Sequence, residues 1–196
     1  MKKDQGKIII ISGPSGSGQD AIIEGLAKRG VLFERVITTV TRKPRKGERQ
    51  GKPYYFISAA EFQRKLANNE FVEWAIVYGD YRGCTTEELK RVKESGKIGV
   101  WKVDTQGAVA LKKKIPEVIT VYIKPPSVEA AVERIRARGL DSEDEIQKRR
   151  VLIEEYLKPE HDKKFDYIVI NNNGRLEEAV NEVIKIMGGK IIIERF

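Results

Sequence analysis

The sequence predicts an α/β fold, a three-layer core built on a parallel sheet and interrupted by two excursions. A glycine-rich turn, Gly13 to Asp20, joins an apolar strand to a helix. Short β-branched runs recur along the chain with helical stretches between them, and two arginine-rich segments break that alternation.

Taken in order, Lys7-Ile8-Ile9-Ile10-Ile11-Ser12 reads as a buried strand, because an unbroken β-branched run suits a parallel sheet covered on both faces. Ala21-Ile22-Ile23-Glu24-Gly25-Leu26-Ala27 then opens a helix. The first excursion, 37–93, is rich in Arg, Tyr and Gly; short strands and a helix over Ala59–Asn68 are expected in it. Core strands follow at Ile98–Asp104 and Val118–Ile123, separated by a helix whose end carries Lys112 to Lys114, where the dipole favours cations. The second excursion, 127–158, reads as an arginine-studded helical pair. Tyr167–Asn171 is the last core strand, Glu177–Met187 a closing helix and Lys190–Phe196 a terminal strand.

Composition bounds the function. A chain of 196 residues, 40% hydrophobic and 34% charged, supports one well-cored domain with insertions. No apolar run approaches the roughly 18 residues of a membrane span, and the N-terminus lacks a signal-type segment, so a cytoplasmic protein without membrane contact is expected. The single cysteine, Cys84, excludes an internal disulfide, and with His161 the only histidine a Cys/His metal site is not expected. The net charge of +8 suits anionic ligands. No nucleic-acid-binding signature accompanies it. The wealth of Lys, Glu, Arg and Ile is compatible with a thermophilic source.

The turn Gly13-Pro14-Ser15-Gly16-Ser17-Gly18-Gln19-Asp20 has the glycine spacing of a phosphate-binding loop. In the pattern G-x-x-x-x-G-K-[ST], backbone N–H groups cradle phosphates, the Lys reaches the β/γ oxygens and the hydroxyl binds Mg²⁺. Here Gln19 stands at the lysine position and Asp20 at the hydroxyl position. Strand, glycine turn and helix in that order still put free helix N–H groups and the positive dipole end where a phosphate sits. That half of anion binding needs no lysine.

The first excursion carries the substrate clue. In Thr38-Thr39-Val40-Thr41-Arg42-Lys43-Pro44-Arg45, two arginines three apart flank a proline that stiffens the turn, and Tyr54-Tyr55-Phe56 follows. Guanidiniums and tyrosine hydroxyls can clamp a phosphate dianion through charge-assisted hydrogen bonds. Downstream, Phe71-Val72-Glu73-Trp74 sets a carboxylate in an apolar setting, where it requires donors such as a purine N–H pair.

With these segments in view, the chain resembles the guanylate kinases. The resemblance runs from about Lys7 to Asn172. It rests on several motifs in order: the Gly-Pro-Ser-Gly loop, the Thr-Arg-x-x-Arg-x-Gly-Glu-x-x-Gly segment from Thr41, Phe71-x-Glu73-Trp74, Val103-Asp104-x-Gln106-Gly107, and Pro125-Pro126-Ser127 before the arginine helices. It implies a P-loop kinase core (1–36, 94–126 and 159–196), a GMP-binding insertion (37–93) and a helical lid (127–158). It also implies phosphorylation of GMP to GDP by ATP, with Mg²⁺ accompanying ATP, in purine metabolism. Residue by residue, it places Gly13, Ser15, Gly16, Ser17, Gly18, Gln19 and Asp20 in the ATP-phosphate loop. Arg42, Arg45 and Tyr54 match the GMP-phosphate clamp, Glu73 and Asp104 the carboxylates that read guanine, and Thr38, Arg82 and Cys84 further GMP-binding positions. Arg134, Arg138 and Arg149 match lid and core arginines that contact ATP phosphates and stabilise the transferring group, Arg134 and Arg138 falling in the lid, and Arg42 is counted with the catalytic residues. Taken alone, such arginines read as solvated helix surface.

The departures from the family pattern are informative. Arg82 stands at a phosphate-binding tyrosine, which a guanidinium can replace; Cys84 stands at a hydroxyl that contacts guanine, which a thiol replaces poorly. Lys102, in Trp101-Lys102-Val103-Asp104, replaces the first aspartate of a Leu-Asp-Ile-Asp strand. The loop thus loses a positive charge and gains a negative one while the strand does the reverse. Two arrangements follow as hypotheses: Lys102 pairs with Asp20 and closes the phosphate site, or Lys102 takes over the missing lysine's role with Asp20 as a metal ligand.

Two functions are therefore expected to compete. One is a guanylate kinase impaired or rewired at its ATP loop. The other is a catalytically silent module that binds GMP or a phosphorylated protein partner. A kinase of another phosphorylated sugar or nucleotide is disfavoured by Glu73 and Asp104. His161, between Glu160 and Asp162, is expected to be exposed, and Trp74 and Trp101 to be packing residues.

Overall fold

The computed structural model describes residues 6–45, 47–77 and 79–188. The first elements are β1 (Ile8–Ser12), α1 (Gln19–Lys28), β2 (Phe33–Arg35), β3 (Thr38–Val40), β4 (Arg49–Gln50), β5 (Pro53–Phe56), α2 (Ala59–Ala67), β6 (Phe71–Val77), β7 (Asp80–Thr85) and α3 (Thr86–Glu94). They are followed by β8 (Ile98–Lys102), α4 (Thr105–Lys114), β9 (Ile119–Lys124), α5 (Val128–Arg138), α6 (Glu143–Tyr156), α7 (Pro159–Asp162), β10 (Tyr167–Ile170) and α8 (Leu176–Ile186). This is the mixed α/β pattern with a parallel sheet that the sequence predicts. The terminal strand expected over Lys190–Phe196 lies outside the described residues. Among the described residues no helix is long and apolar enough to cross a membrane.

The chain divides into two compact units, one of residues 1–8 and 34–101 and the other of residues 9–33 and 102–196. In the second unit, β9 runs parallel to β1, with Ile9 opposite Ile119 and Ile11 opposite Val121, and β10 runs parallel to β9 on its other side. Ile9 to Ile11 and Val121 to Ile123 are essentially inaccessible, as strands covered on both faces must be. Helices α1 and α8 pack so closely that a Cβ on Gly25 would lie 2.5 Å from Val180 Cγ2, which is why glycine sits in the middle of α1. Helices α5 and α6 share a core of Ala131, Val132, Ile135, Ile146 and Ile153.

The first unit holds a sheet in the order β4-β5-β3-β7-β6. β3 is parallel to β5 and antiparallel to β7, and β6 and β7 form an antiparallel pair with an irregularity between Phe71 and Glu73. Phe62 of α2 is fully buried and stacks on Phe71 and Tyr81, fixing that helix to the sheet.

His161 differs from expectation. It is 9% exposed, with its ring edge-on to Tyr156 at 5.3 Å and Nε2 3.3 Å from a Glu155 oxygen. Its charged neighbours in sequence suggest solvent, but the short helix α7 turns its ring inward while Glu160 remains outside. Trp101 is fully buried as a packing residue, whereas Trp74 is half exposed.

Helix α6 begins with a full capping box, Ser142 accepting from the Glu145 N–H while Glu145 accepts from the Ser142 N–H. Replacing Ser142 by Ala is expected to lower stability by about 1 kcal/mol, read as a lower urea midpoint with an unchanged slope.

Candidate nucleotide-binding site

The loop between β1 and α1 is shaped by backbone contacts that exclude side chains. A Cβ on Gly16 would meet the Ala131 carbonyl at 2.4 Å, and one on Gly18 would meet Asn171 Nδ2 at 2.3 Å; both residues have positive φ, 78° and 90°. Gly18 caps α1 in the left-handed conformation without any side-chain cap, so the first N–H groups of that helix stay available to an anion. Asn171, buried at the end of β10, donates from Nδ2 to the Ser17 carbonyl at 2.8 Å and holds the loop from below.

Arg134 completes that support. Its guanidinium donates to the carbonyls of Gly16 (3.2 Å), Ser17 (3.5 Å) and Asn171 (2.8 Å) and to Asn173 Oδ1 (2.6 Å). Burial lowers its pKa. In this arrangement Arg134 serves the loop's carbonyl side. Arg149 donates to Ser15 Oγ at 3.4 Å and pairs with Asp141 at 2.8 Å, which brings a second arginine to the loop. Arg138 ends α5 exposed to solvent.

Gln19 and Asp20 use their side chains on the protein. Gln19 Nε2 donates to the Gly13 carbonyl (3.3 Å) and the Val103 carbonyl (3.5 Å). Lys102 Nζ lies 2.9 and 2.8 Å from the two Asp20 oxygens. The pairing of Lys102 with Asp20 expected from the charge exchange is therefore present. With side-chain exposures of 25% and 55% the pair is solvent-screened and adds about 0–1 kcal/mol. Asp104 is spent differently: it caps α4, its carboxylate accepting from the Gly107 N–H at 2.9 Å.

In the other unit, strand register collects residues from three separate segments. Thr38 pairs with Tyr54, Val40 with both Phe56 and Arg82, and Cys84 with Glu73. Paired residues share a sheet face and alternate residues along a strand share it too, so Thr38, Tyr54, Glu73, Arg82 and Cys84 all lie on one face. Arg42 joins them, its guanidinium 5.2 Å from the Tyr54 ring centre and 5.6 Å from that of Phe56. A cavity of about 320 Å³ lies on the opposite face, bordered by Thr39, Tyr55, Glu88 and Arg91.

The residue that sequence reasoning missed is Glu48. Its carboxylate grips the Arg42 guanidinium in a two-pronged pair of 2.6 and 2.7 Å and accepts the Arg45 backbone N–H at 2.8 Å. One carboxylate thereby orients the Arg42 guanidinium and fixes the backbone at Arg45, the two arginines of the predicted phosphate clamp. Its signal was present in the Thr-Arg-x-x-Arg-x-Gly-Glu spacing. The hydrogen bonds from Arg42 outweigh burial and hold Glu48 down at about 2, and the same pairing raises Arg42. Burial, then the nearby Glu73 charge, pushes the Cys84 thiol well above its ordinary range; Cys84 is fully enclosed, its Sγ 3.5 Å from the Thr85 carbonyl. Arg82 Nε is buried without a hydrogen-bond partner among the described residues. An unpaired buried guanidinium nitrogen favours an arriving acceptor.

The family model described as guanylate kinase matches residues 5–189. The guanylate kinase of Caldanaerobacter subterraneus subsp. tengcongensis is 40% identical over 185 residues, covering 94% of this chain and 88% of its own. That of Fusobacterium nucleatum is 36% identical over 183 residues, covering 93% and 96%. Among solved structures, guanylate kinase from Anaplasma phagocytophilum superposes with a TM-score of 0.71 at 26% identity, covering 99% of this chain and 90% of that one.

Because the folded Glu48 carboxyl binds its proton less tightly than the unfolded one, its stabilisation is complete above about pH 4.5 and disappears as pH falls toward 2. Glu48→Gln is accordingly expected to flatten the acid limb of the stability profile between pH 4.5 and 2, measured as the thermal midpoint against pH for both proteins.

Proposed function

The chain belongs to the guanylate kinase family, and on that premise we propose that it transfers the γ-phosphoryl group of ATP to GMP, giving GDP and ADP. The observation that carries the reading is the single sheet face bearing Thr38, Tyr54, Glu73, Arg82 and Cys84, with Arg42 stacked above it. That face offers cations for a monophosphate and a carboxylate for a purine N–H edge. Asp104 is read as the second guanine carboxylate. The glycine loop, with the free N–H groups of α1, is read as the ATP-phosphate cradle, supported by Arg149, with Arg138 assigned to the lid that covers it.

Mg²⁺ is the expected companion of ATP. Magnesium binds through one or two carboxylates together with phosphate oxygens and keeps several waters, and the half-exposed Asp20 carboxylate at the start of α1 fits that demand. When bound, the metal supplies charge neutralisation between the phosphates. The single buried thiol suits a reducing compartment, and we place the activity in the cytoplasm.

Phosphoryl transfer depends on positioning and charge stabilisation. Loss of one preorganised donor, uncompensated, lowers the rate by roughly 10² to 10³-fold. A second reading is supported by Gln19, whose amide is used on the Gly13 and Val103 carbonyls and brings no charge to the loop. In that reading the protein binds GMP, or a phosphorylated protein partner, without turnover.

Calorimetric titration with GMP and with ATP plus Mg²⁺, followed by coupled detection of GDP on the same sample, separates the readings. We expect both nucleotides to bind and GDP to form. GMP binding without ATP binding or GDP would establish the silent module. Arg45→Ala is expected to raise the KM for GMP roughly 10- to 100-fold, the loss of a charge-assisted phosphate contact, with little change in the KM for ATP.

A further inference from the structure

We propose that Lys102 is the phosphate-contacting cation of the glycine loop, held beside it by Asp20 and transferred to the nucleotide's β/γ oxygens when Asp20 turns to the accompanying divalent metal. The inference deepens the kinase reading and takes from it only the identity of the nucleotide.

A loop of this type needs one mobile cation at its open side, and Gln19 supplies none. Arg134 gives its guanidinium to three carbonyls and Asn173 on the loop's supporting side. Arg149 is fixed by Asp141. Lys102 is differently placed. It ends β8, and the next residue, Val103, donates its N–H to the Ile11 carbonyl at 3.2 Å, which ties this strand end beside the strand from which the loop departs. Its Nζ reaches the carboxylate of Asp20, the second residue of α1, at 2.8 Å. The cation therefore stands at the first turn of the helix whose free N–H groups form the anion cradle.

The pair is suited to exchange partners. Both side chains are partly solvated, so their mutual attraction is screened and little net stability holds them together. A triphosphate offers Lys102 a denser negative charge than one carboxylate does. Asp20 left beside that triphosphate would repel it, so the carboxylate must acquire a cation of its own as Lys102 departs. Asp20 is then a positioning residue in the free protein and a metal ligand in the complex. Lysine suits this switch better than arginine, being a compact charge on a flexible stem.

The test compares wild type with Lys102→Ala, Lys102→Arg and Asp20→Asn, using ATP affinity by calorimetry with Mg²⁺ and with EDTA, GMP affinity as a check on folding, and GDP formation. Lys102→Ala is expected to weaken ATP binding and to lower kcat/KM for ATP by roughly 10² to 10³-fold, with GMP affinity within about twofold and partial rescue in Lys102→Arg. Asp20→Asn is expected to tighten metal-free ATP binding by roughly 4- to 20-fold, the removal of one like charge near 5 Å in a solvated setting, while abolishing most of the gain from Mg²⁺. A purely structural ion pair would leave the gain from Mg²⁺ in Asp20→Asn as it is in wild type. If Lys102→Ala binds ATP as wild type does, or wild type does not bind ATP, the proposal is overturned. GDP formation unaffected in Lys102→Ala overturns it while leaving the kinase reading standing. Lys102-dependent ATP binding without GDP formation sustains it and overturns the kinase reading.

Discussion

The nucleotide loop depends on backbone approaching backbone more closely than any side chain permits. Gly16 lies against the Ala131 carbonyl and Gly18 against Asn171, in conformations that an L-residue adopts only with strain. Because those contacts come from the start of α5 and the end of β10, the loop is shaped by elements far from it in sequence. Arg134 and Asn171 then satisfy the Gly16 and Ser17 carbonyls on the loop's supporting side. The glycines thus set the backbone of the loop whatever side chains stand at Gln19 and Asp20.

A different device organises the other unit. Glu48 fixes Arg42 through both prongs and Arg45 through its backbone, and so takes up part of the Arg42 charge. Pre-orientation of this kind reduces the entropy lost when a phosphate arrives. It also explains why the Arg42 guanidinium is held over Tyr54 and Phe56 when a long cationic side chain would otherwise sample many rotamers.

Much of this was legible in the sequence where a residue's role is set by its immediate surroundings. Ile8 to Ile11 announce a strand covered on both faces because such a strand needs no alternation, and Gly13, Gly16 and Gly18 announce the turn because no other residue fits it. The Lys102–Asp20 pair was legible through charge balance, since a loop and a strand had exchanged signs. Features set by distant packing were not. The order β4-β5-β3-β7-β6 arises from pairings across long separations that short, half-buried strands do not encode locally. Glu48 acquires its meaning only when the turn after Pro44 brings it back to Arg42, and the burial of His161 comes from α7, which turns its ring against Tyr156 with Glu155 and Lys164 at its nitrogens.

Cys84 has a consequence of another kind. Its side chain is wholly enclosed and burial keeps it protonated, so neither the accessibility nor the thiolate that alkylation requires exists in the folded state. With no second cysteine in the chain, any modification by a thiol reagent reports an opening of this sheet that exposes β7, which lies between β3 and β6. The protein carries its own internal clock for that motion: the labelling rate divided by the rate for a free thiol gives the fraction of time this sheet stands open.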